Sequence, residues 1–261
     1  VSTGIAGAGV VITGGAGGIG AAMARRFAAE GARVVVADLD AGGAAEVAER
    51  IGGTAVAGDA ASEDGVRALI ERSREVLGAI DLFCANAGVA PHGGPETPED
   101  VWAQAWDVNV MAHVRAAKLL LPEWLDRGRG HFLATVSAAG LLTSLGSAPY
   151  SVTKHGALAF AEWLSATYRH RGVTVQAVCP QGVRTRMLAE TGRAGDLIMG
   201  ASAIEPGQVA EDVLRGIADG RFLILPHPEV ADYYAVRATQ NDRWLAGMNK
   251  LQRKVEQSLD E

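Results

Sequence analysis

Tyr150 and Lys154 stand four residues apart in the mostly uncharged stretch SAPYSVTKHGALAF. On a helix that spacing puts a phenol and an ammonium on one face, one turn apart. A free tyrosine has a pKa of roughly 10 and is a poor acid-base catalyst near neutrality, but a fixed cation within a few ångströms favours the phenolate. Lysine brings that charge on a compact head with three rotatable donors, which the flat fork of arginine does not imitate. Arginine fills 20 of the 24 basic positions, so a lysine here is conspicuous. Such a pair also arises by chance on surface helices, and its meaning depends on what the chain places beside it.

A second set of residues points to a nucleotide. Thr13-Gly14-Gly15-Ala16-Gly17-Gly18-Ile19-Gly20 follows a β-branched run and opens a helical pattern. Glycines there let the backbone turn sharply and approach a pyrophosphate, which the free N–H groups of a helix N-terminus attract. Two registers fit: Gly15, Gly17 and Gly20 make GxGxxG, while Gly14, Gly18 and Gly20 make GxxxGxG. Asp38 closes the next β run, where a carboxylate accepts hydrogen bonds from both hydroxyls of an adenosine ribose and repels a 2′-phosphate. Neither the glycine loop nor Leu39 offers a cation for such a phosphate, so NAD is expected over NADP. Asp59 and Asn86-Ala87-Gly88 end the third and fourth β runs, at the edge where an open α/β sheet binds ligands.

The elements that must position these groups are legible as alternation. Apolar runs at 10–13, 33–38, 54–58, 80–86, 131–137, 173–180 and 222–226 read as seven strands buried on both faces. Helical patterns lie between them, several ending at glycine. Regular β/α alternation predicts an α/β fold: a Rossmann-type, doubly wound parallel sheet of seven strands with helices on both faces, in a single domain over 1–261. Two stretches depart from it. Residues 184–207, rich in Gly, Ala and Met, read as a lid, and 228–261 as a C-terminal helical extension.

Bulk properties exclude several classes of function. The 261 residues carry a net charge of -6 with no long basic run, so nucleic acid is not an expected partner. Cys84 and Cys179 are isolated, without metal or redox spacing, and read as buried thiols of a reducing cytoplasm; no metal site is expected. Charged residues and glycine interrupt the apolar stretches before the ~20 residues that a membrane span needs. With no basic-then-apolar layout at the first residues, a soluble cytoplasmic protein is expected.

With glycine loop, NAG turn and Tyr/Lys helix in this order, the chain from about 7 to 225 resembles the short-chain dehydrogenase/reductase family. The family pattern TGxxxGxG falls on Thr13, Gly14, Gly18 and Gly20. The resemblance implies a cofactor site of Gly14, Gly18, Ile19, Gly20, Asp38, Asp59, Ala60, Asn86, Ala87, Gly88, Tyr150, Lys154, Pro180, Val183 and Thr185. It implies a catalytic set of Asn109, Ser137, Tyr150 and Lys154. In that set Tyr150 exchanges the proton of a secondary alcohol and Ser137 holds the substrate oxygen. Lys154 lowers the phenol pKa and binds the nicotinamide ribose, and Asn109 helps seat a water that relays protons. One departure stands out: after the sixth strand the family reads PGxVxT, whereas this chain has Gln181 in Cys179-Pro180-Gln181-Gly182-Val183-Arg184-Thr185.

The expected activity is NAD-dependent hydride transfer between cofactor and an apolar secondary alcohol or ketone. Ala139, Leu141, Leu145 and Met187 are the predicted walls of its pocket. A nucleotide-sugar epimerase or dehydratase shares YxxxK but needs a larger C-terminal domain, and a non-catalytic dinucleotide sensor has no use for Ser137, Tyr150 and Lys154. His92, Arg184 and Arg186 read as solvated groups and His155 as structural. The tryptophans read as core or subunit contacts, and the resemblance implies a homo-oligomer, dimer or tetramer, through the helices of 98–127 and 148–171.

Overall fold

The computed structural model describes residues 4–260. Its strands are β1 (Gly9–Thr13), β2 (Arg33–Asp38), β3 (Thr54–Ala57), β4 (Leu82–Ala85), β5 (Gly130–Thr135), β6 (Val173–Val178) and β7 (Leu223–Ile224). They form one sheet in the order β3-β2-β1-β4-β5-β6-β7, every pair parallel. The seven β runs of the sequence are these seven strands, and the doubly wound architecture is present as expected.

Helices α1 (Gly18–Ala29), α2 (Ala41–Ile51), α3 (Glu63–Leu77), α4 (Glu99–Trp106) and α5 (Ala112–Arg127) accompany the first half of the sheet. The short α6 (Ala139–Leu142) and the long α7 (Ala148–Tyr168) precede β6; α8 (Arg186–Ala189), α9 (Gly192–Met199) and α10 (Pro206–Asp219) precede β7. Two helices, α11 (Glu229–Thr239) and α12 (Asn241–Asp260), close the chain.

Strand alternation sorts the core into two layers. Val10, Ile12, Val34, Val36 and Cys84 point to the face covered by α1, α2 and α10. Val11, Val35, Phe83, Phe132 and Ala134 point to the other, covered by α3, α5 and α7. The winding direction reverses between β1 and β4, which opens a crevice at the carboxyl ends of these neighbouring strands. Among the described residues no helix is long and apolar enough to cross a membrane, and no group of three or more His, Cys, Asp or Glu is placed to hold a metal.

The two departures from alternation are helical. Residues 184–207 form α8, α9 and a 3-10 turn, Gly200–Ser202, and both ends of the segment are stapled: Arg184 N–H donates to Ile204 (2.9 Å) and Ile204 N–H to Gly182 (3.1 Å). The extension packs α11 on α6 and α12 on α9, so it braces the segment after Ser137 and the segment after Thr185 together. Arg237 of α11 donates to the Leu141 carbonyl.

Candidate active site

The glycine loop leaves β1 at Thr13 and turns into α1. Gly14 and Gly18 take left-handed φ values of 64° and 52°. A Cβ at Gly14 would lie 2.9 Å from Ala87 Cα, and one at Gly20 would lie 2.1 Å from the Gly14 carbonyl oxygen. Gly17 is extended at φ -155° and a side chain there would meet nothing. A Cβ at Gly15 would also crowd Val36 Cγ1 at 2.7 Å, so it is the open position at Gly17 that favours the register of Gly14, Gly18 and Gly20. Gly17 caps α1 without a side-chain bond and the first turn holds no acid. The free N–H groups around Gly18, Ile19 and Gly20 thus face the crevice as an anion-receptive end.

Asn86 ties this loop to the sheet. Its Nδ2 donates to the carbonyls of Thr13 (2.9 Å) and Gly14 (3.2 Å), while its Oδ1 accepts from Thr135 Oγ1 (3.0 Å). The backbone N–H groups of Asn86 and Ala87 both donate to Thr13 Oγ1 at 3.0 Å. Thr13, the first residue of the family pattern, and Thr135, which the sequence reading passed over, are the partners that orient the NAG turn. Asp38, at the end of β2, accepts from Ala16 N–H (3.0 Å) and Asp40 N–H (3.0 Å) and stands beside the loop. The neighbouring Leu39 is 75% exposed. Asp59 accepts from Ala61 and Ser62 N–H at 2.8 and 3.3 Å. Burial pushes its pKa up, but the Ala61 N–H, Ser62 and Arg115 outweigh that and hold it below its ordinary value. Ala60 is half-buried against the core.

Tyr150 and Lys154 lie on α7, which Pro149 starts within its first turn. Tyr150 is half-buried; Lys154 is 3% exposed. Lys154 Nζ donates to the Thr135 carbonyl (2.9 Å) and sits 5.6 Å from the centre of the Tyr150 ring. Burial lowers the lysine pKa to about 8. Burial also pushes the phenol above its ordinary value, with a hydrogen bond to Ser137 working against it. The expectation that Lys154 pulls the phenol down is therefore corrected. Desolvation dominates both groups, and a lysine with a pKa near 8 loses its charge before the phenol titrates.

Ser137 follows β5, where its Oγ accepts from Ala139 N–H (3.0 Å) and donates weakly to the Pro180 carbonyl (3.4 Å). Asn109 lies at the centre of a π-helical turn, Asp107–Met111, between α4 and α5, and is fully buried. Its Nδ2 donates to Val89 O (2.9 Å) and Thr153 Oγ1 (3.0 Å), and its Oδ1 accepts from Val89 N–H (3.0 Å). The amide thus clamps the chain after the NAG turn and keeps one oxygen lone pair free. A Cβ on Gly88 would stand 3.1 Å from Asn109 Oδ1 and 3.5 Å from Lys154 Nζ, so the missing side chain leaves a small polar slot between the two.

The turn after β6 runs beside the glycine loop. Val183 is buried and pairs with Ile204, and Thr185 caps α8 through Leu188 N–H (3.4 Å). A Cβ on Gly18 would meet Thr185 Cγ2 at 3.1 Å. Pro180 O also accepts from Ala138 N–H (2.8 Å).

The predicted pocket wall is redrawn. Leu141 is 1% exposed and its side chain belongs to the core with Val136 and Leu158, because α6 turns it inward. Leu145 lines a groove of about 690 Å³ with Gly93, Gly146, Val152 and His155, on a flank of α7 that does not include Tyr150. Ala139, next to Ser137, is buried, and Met187 is 37% exposed on α8. Arg184 and Arg186 pair with Glu205 (3.3 Å) and Glu190 (3.4 Å). His92 is exposed, and His155 Nδ1 donates locally to the Ser151 carbonyl (2.8 Å). Trp124 is core, whereas Trp106 and Trp163 are 43% and 55% exposed.

Four histidines were not singled out in the sequence, and two of them, His113 and His227, are buried beside groups of the site. His113, 1% exposed and edge-on to Phe132, is kept neutral by burial and by the charge of Lys154, with a pKa lowered to about 3. Its ring nitrogens have no hydrogen-bond partner among the described residues. His227 bonds Gln181 and Ser202. Only the fourth-residue spacing from Asn109, and a flanking pair of prolines for His227, mark them in the sequence.

A glycine-lined helix N-terminus at the switch point of a parallel sheet, with a buried lysine beside a tyrosine, defines a dinucleotide-binding α/β enzyme. Comparison with known proteins agrees: the profile of the short chain dehydrogenase family matches residues 8–195, and the chain belongs to that family. It is 38% identical over 232 residues to 1-deoxy-11-beta-hydroxypentalenate dehydrogenase of Streptomyces exfoliatus, covering 84% of this chain and 82% of that protein. It is 33% identical over 218 residues to cis-4-hydroxycyclohexanecarboxylate dehydrogenase of Sinomonas cyclohexanicum, covering 80% and 86%. Among solved structures, a short chain dehydrogenase/reductase from Burkholderia phymatum in complex with NAD superposes with a TM-score of 0.81 at 29% identity, covering 89% of this chain and 93% of that one. The chain is thus an NAD(P)-dependent oxidoreductase acting on CH–OH groups.

Proposed function

We propose that this enzyme uses NAD rather than NADP to interconvert a ring-borne secondary alcohol and its ketone, with Tyr150 as the general acid/base. The observation that carries the reading is the placement of half-buried Tyr150 between Ser137 and a buried Lys154, at the sheet edge that holds the glycine loop.

The residues fit a dinucleotide. Gly14, Gly18 and Gly20 leave room where side chains would clash, and the start of α1 offers unbonded N–H groups to a pyrophosphate. Asp38 retains lone pairs for ribose hydroxyls, and Asp59 and Ala60 stand on the adenine side. Asn86, Ala87 and Gly88 form the floor, and Pro180, Val183 and Thr185 the nicotinamide side. When bound, the nicotinamide supplies the hydride acceptor or donor.

In the oxidising direction Tyr150 takes the proton from the alcohol oxygen while a hydride leaves the carbon that bears that oxygen; in reduction it returns that proton. Ser137 Oγ donates to the substrate oxygen and holds it within reach of the phenol. Lys154 presents its charge beneath the ring while its own proton is retained, below a pH of about 8. The slot bounded by Gly88, Asn109 and Lys154 suits a water that passes the Tyr150 proton on toward solvent.

Ala139 and Met187 leave an apolar substrate side, and the two named relatives act on hydroxylated carboxylates. Apolar ring alcohols with one carboxylate therefore head the candidate substrates. Exposed Trp106, Val152 and Trp163 on α4 and α7 support a homo-oligomer through those helices, and two free, buried cysteines suit a cytoplasmic location. The test is a panel of alicyclic alcohols and ketones, with and without a carboxylate, followed by NADH absorbance. Turnover only with acyclic or highly charged substrates would contradict the assignment.

A further inference from the structure

His227 is 3% exposed, yet both of its ring nitrogens have a backbone partner. Nδ1 receives the Gln181 N–H at 3.1 Å, and Nε2 lies 3.2 Å from the Ser202 carbonyl. The partners dictate the tautomer: an amide N–H only donates, so Nδ1 is bare, and a carbonyl only accepts, so Nε2 carries the proton. The imidazole is thus a bridge that accepts at one ring nitrogen and donates at the other.

The three segments it joins are far apart in sequence. Gln181 stands in the turn after β6 where the family pattern has glycine. Ser202 ends the 3-10 turn of the lid segment, and the His227 carbonyl itself accepts from Val230 N–H (3.1 Å) at the start of α11. Around this bridge the lid returns to the same turn, through Arg184 and Gly182 bonded to Ile204, and α12 packs on α9.

We propose that His227 is a positioning residue that fixes the Pro180–Thr185 turn and the lid to the C-terminal extension. Its Nδ1 sets the turn for cofactor and its Nε2 pins the base of the lid. The proposal rests on the reading of that turn as the nicotinamide side of the site. Without the ring the half-buried Gln181 N–H would lose this partner, so the turn is free to shift.

The two halves separate by substitution. Asparagine places an oxygen near the position of Nδ1 but reaches no further, whereas glutamine places a donor near the position of Nε2. In the full chain we expect His227→Ala to weaken NADH binding about tenfold and to speed amide exchange over 186–202 without cofactor. His227→Asn should recover NADH affinity to within about threefold of the native protein while lid exchange stays fast. His227→Gln should slow lid exchange but leave NADH weakly bound. Native affinity and native exchange in His227→Ala, or Asn and Gln variants both indistinguishable from Ala, overturn the bridge. Should the native protein itself fail to bind NADH, the cofactor reading falls, while the exchange measurements still decide whether His227 holds the lid.

Discussion

The Lys154 ammonium lies 5.6 Å from the centre of the Tyr150 ring, and its one described hydrogen bond is to the Thr135 carbonyl (2.9 Å). A buried lysine with a pKa lowered to about 8 is a cost to the fold and an asset to the chemistry. The sign follows from proton linkage: between pH 8 and 10.5 the unfolded chain binds the proton that the folded one releases, so the penalty is full below 8 and fades above it. Lys154→Met should therefore lower kcat/KM by about a hundredfold or more. Its melting temperature, measured from pH 6.5 to 10, should compare best with the native protein at the low end and lose ground as pH rises. A difference independent of pH would contradict the lowered pKa.

Gly20 and Gly88 test different halves of the site. At Gly20 a methyl would meet the Gly14 carbonyl at 2.1 Å, so Gly20→Ala must open the loop and should weaken NADH binding by at least about a hundredfold, or 2.7 kcal/mol. At Gly88 the methyl only crowds Asn109 Oδ1 and Lys154 Nζ. Gly88→Ala should lower kcat roughly tenfold, or 1.4 kcal/mol, with NADH affinity changed by less than about threefold. Titration calorimetry and steady-state kinetics separate the two, and equal loss of binding in both variants would remove the relay slot from the account.

Asp38 accepts two backbone N–H bonds and has further lone pairs facing the loop side. NADH should bind at least several times more tightly than NADPH, and Asp38→Ala should narrow that gap. Competitive binding of the two cofactors checks it; a native preference for NADPH contradicts the role assigned to Asp38.

The fold was legible because its signals are local. Val10 to Ile12 and Val34 to Val36 alternate between two buried layers, and runs of that kind bounded by glycine read as strands whatever surrounds them. The glycine loop and the Tyr150/Lys154 pair stood out for the same reason, since each lies within one segment whose spacing relates its members, whereas Ser137 and Asn109 entered through the family resemblance. What stayed hidden depends on distance. Thr135 holding both Asn86 and Lys154, and His227 meeting Gln181 across 46 residues, arise only when separate strands end side by side. Leu141 was misread as pocket because an apolar residue looks alike in a wall and in a core. The raised phenol pKa was misread because burial, not sequence distance to the lysine, sets it.

The central claim is that Tyr150 moves the proton. Single-turnover NADH formation by Tyr150→Phe, measured beside NADH affinity of the same variant, tests it most directly. The account predicts a fall in rate of about a thousandfold or more with affinity within about threefold of the native protein. Retained turnover, at normal cofactor binding, would place the acid-base group elsewhere.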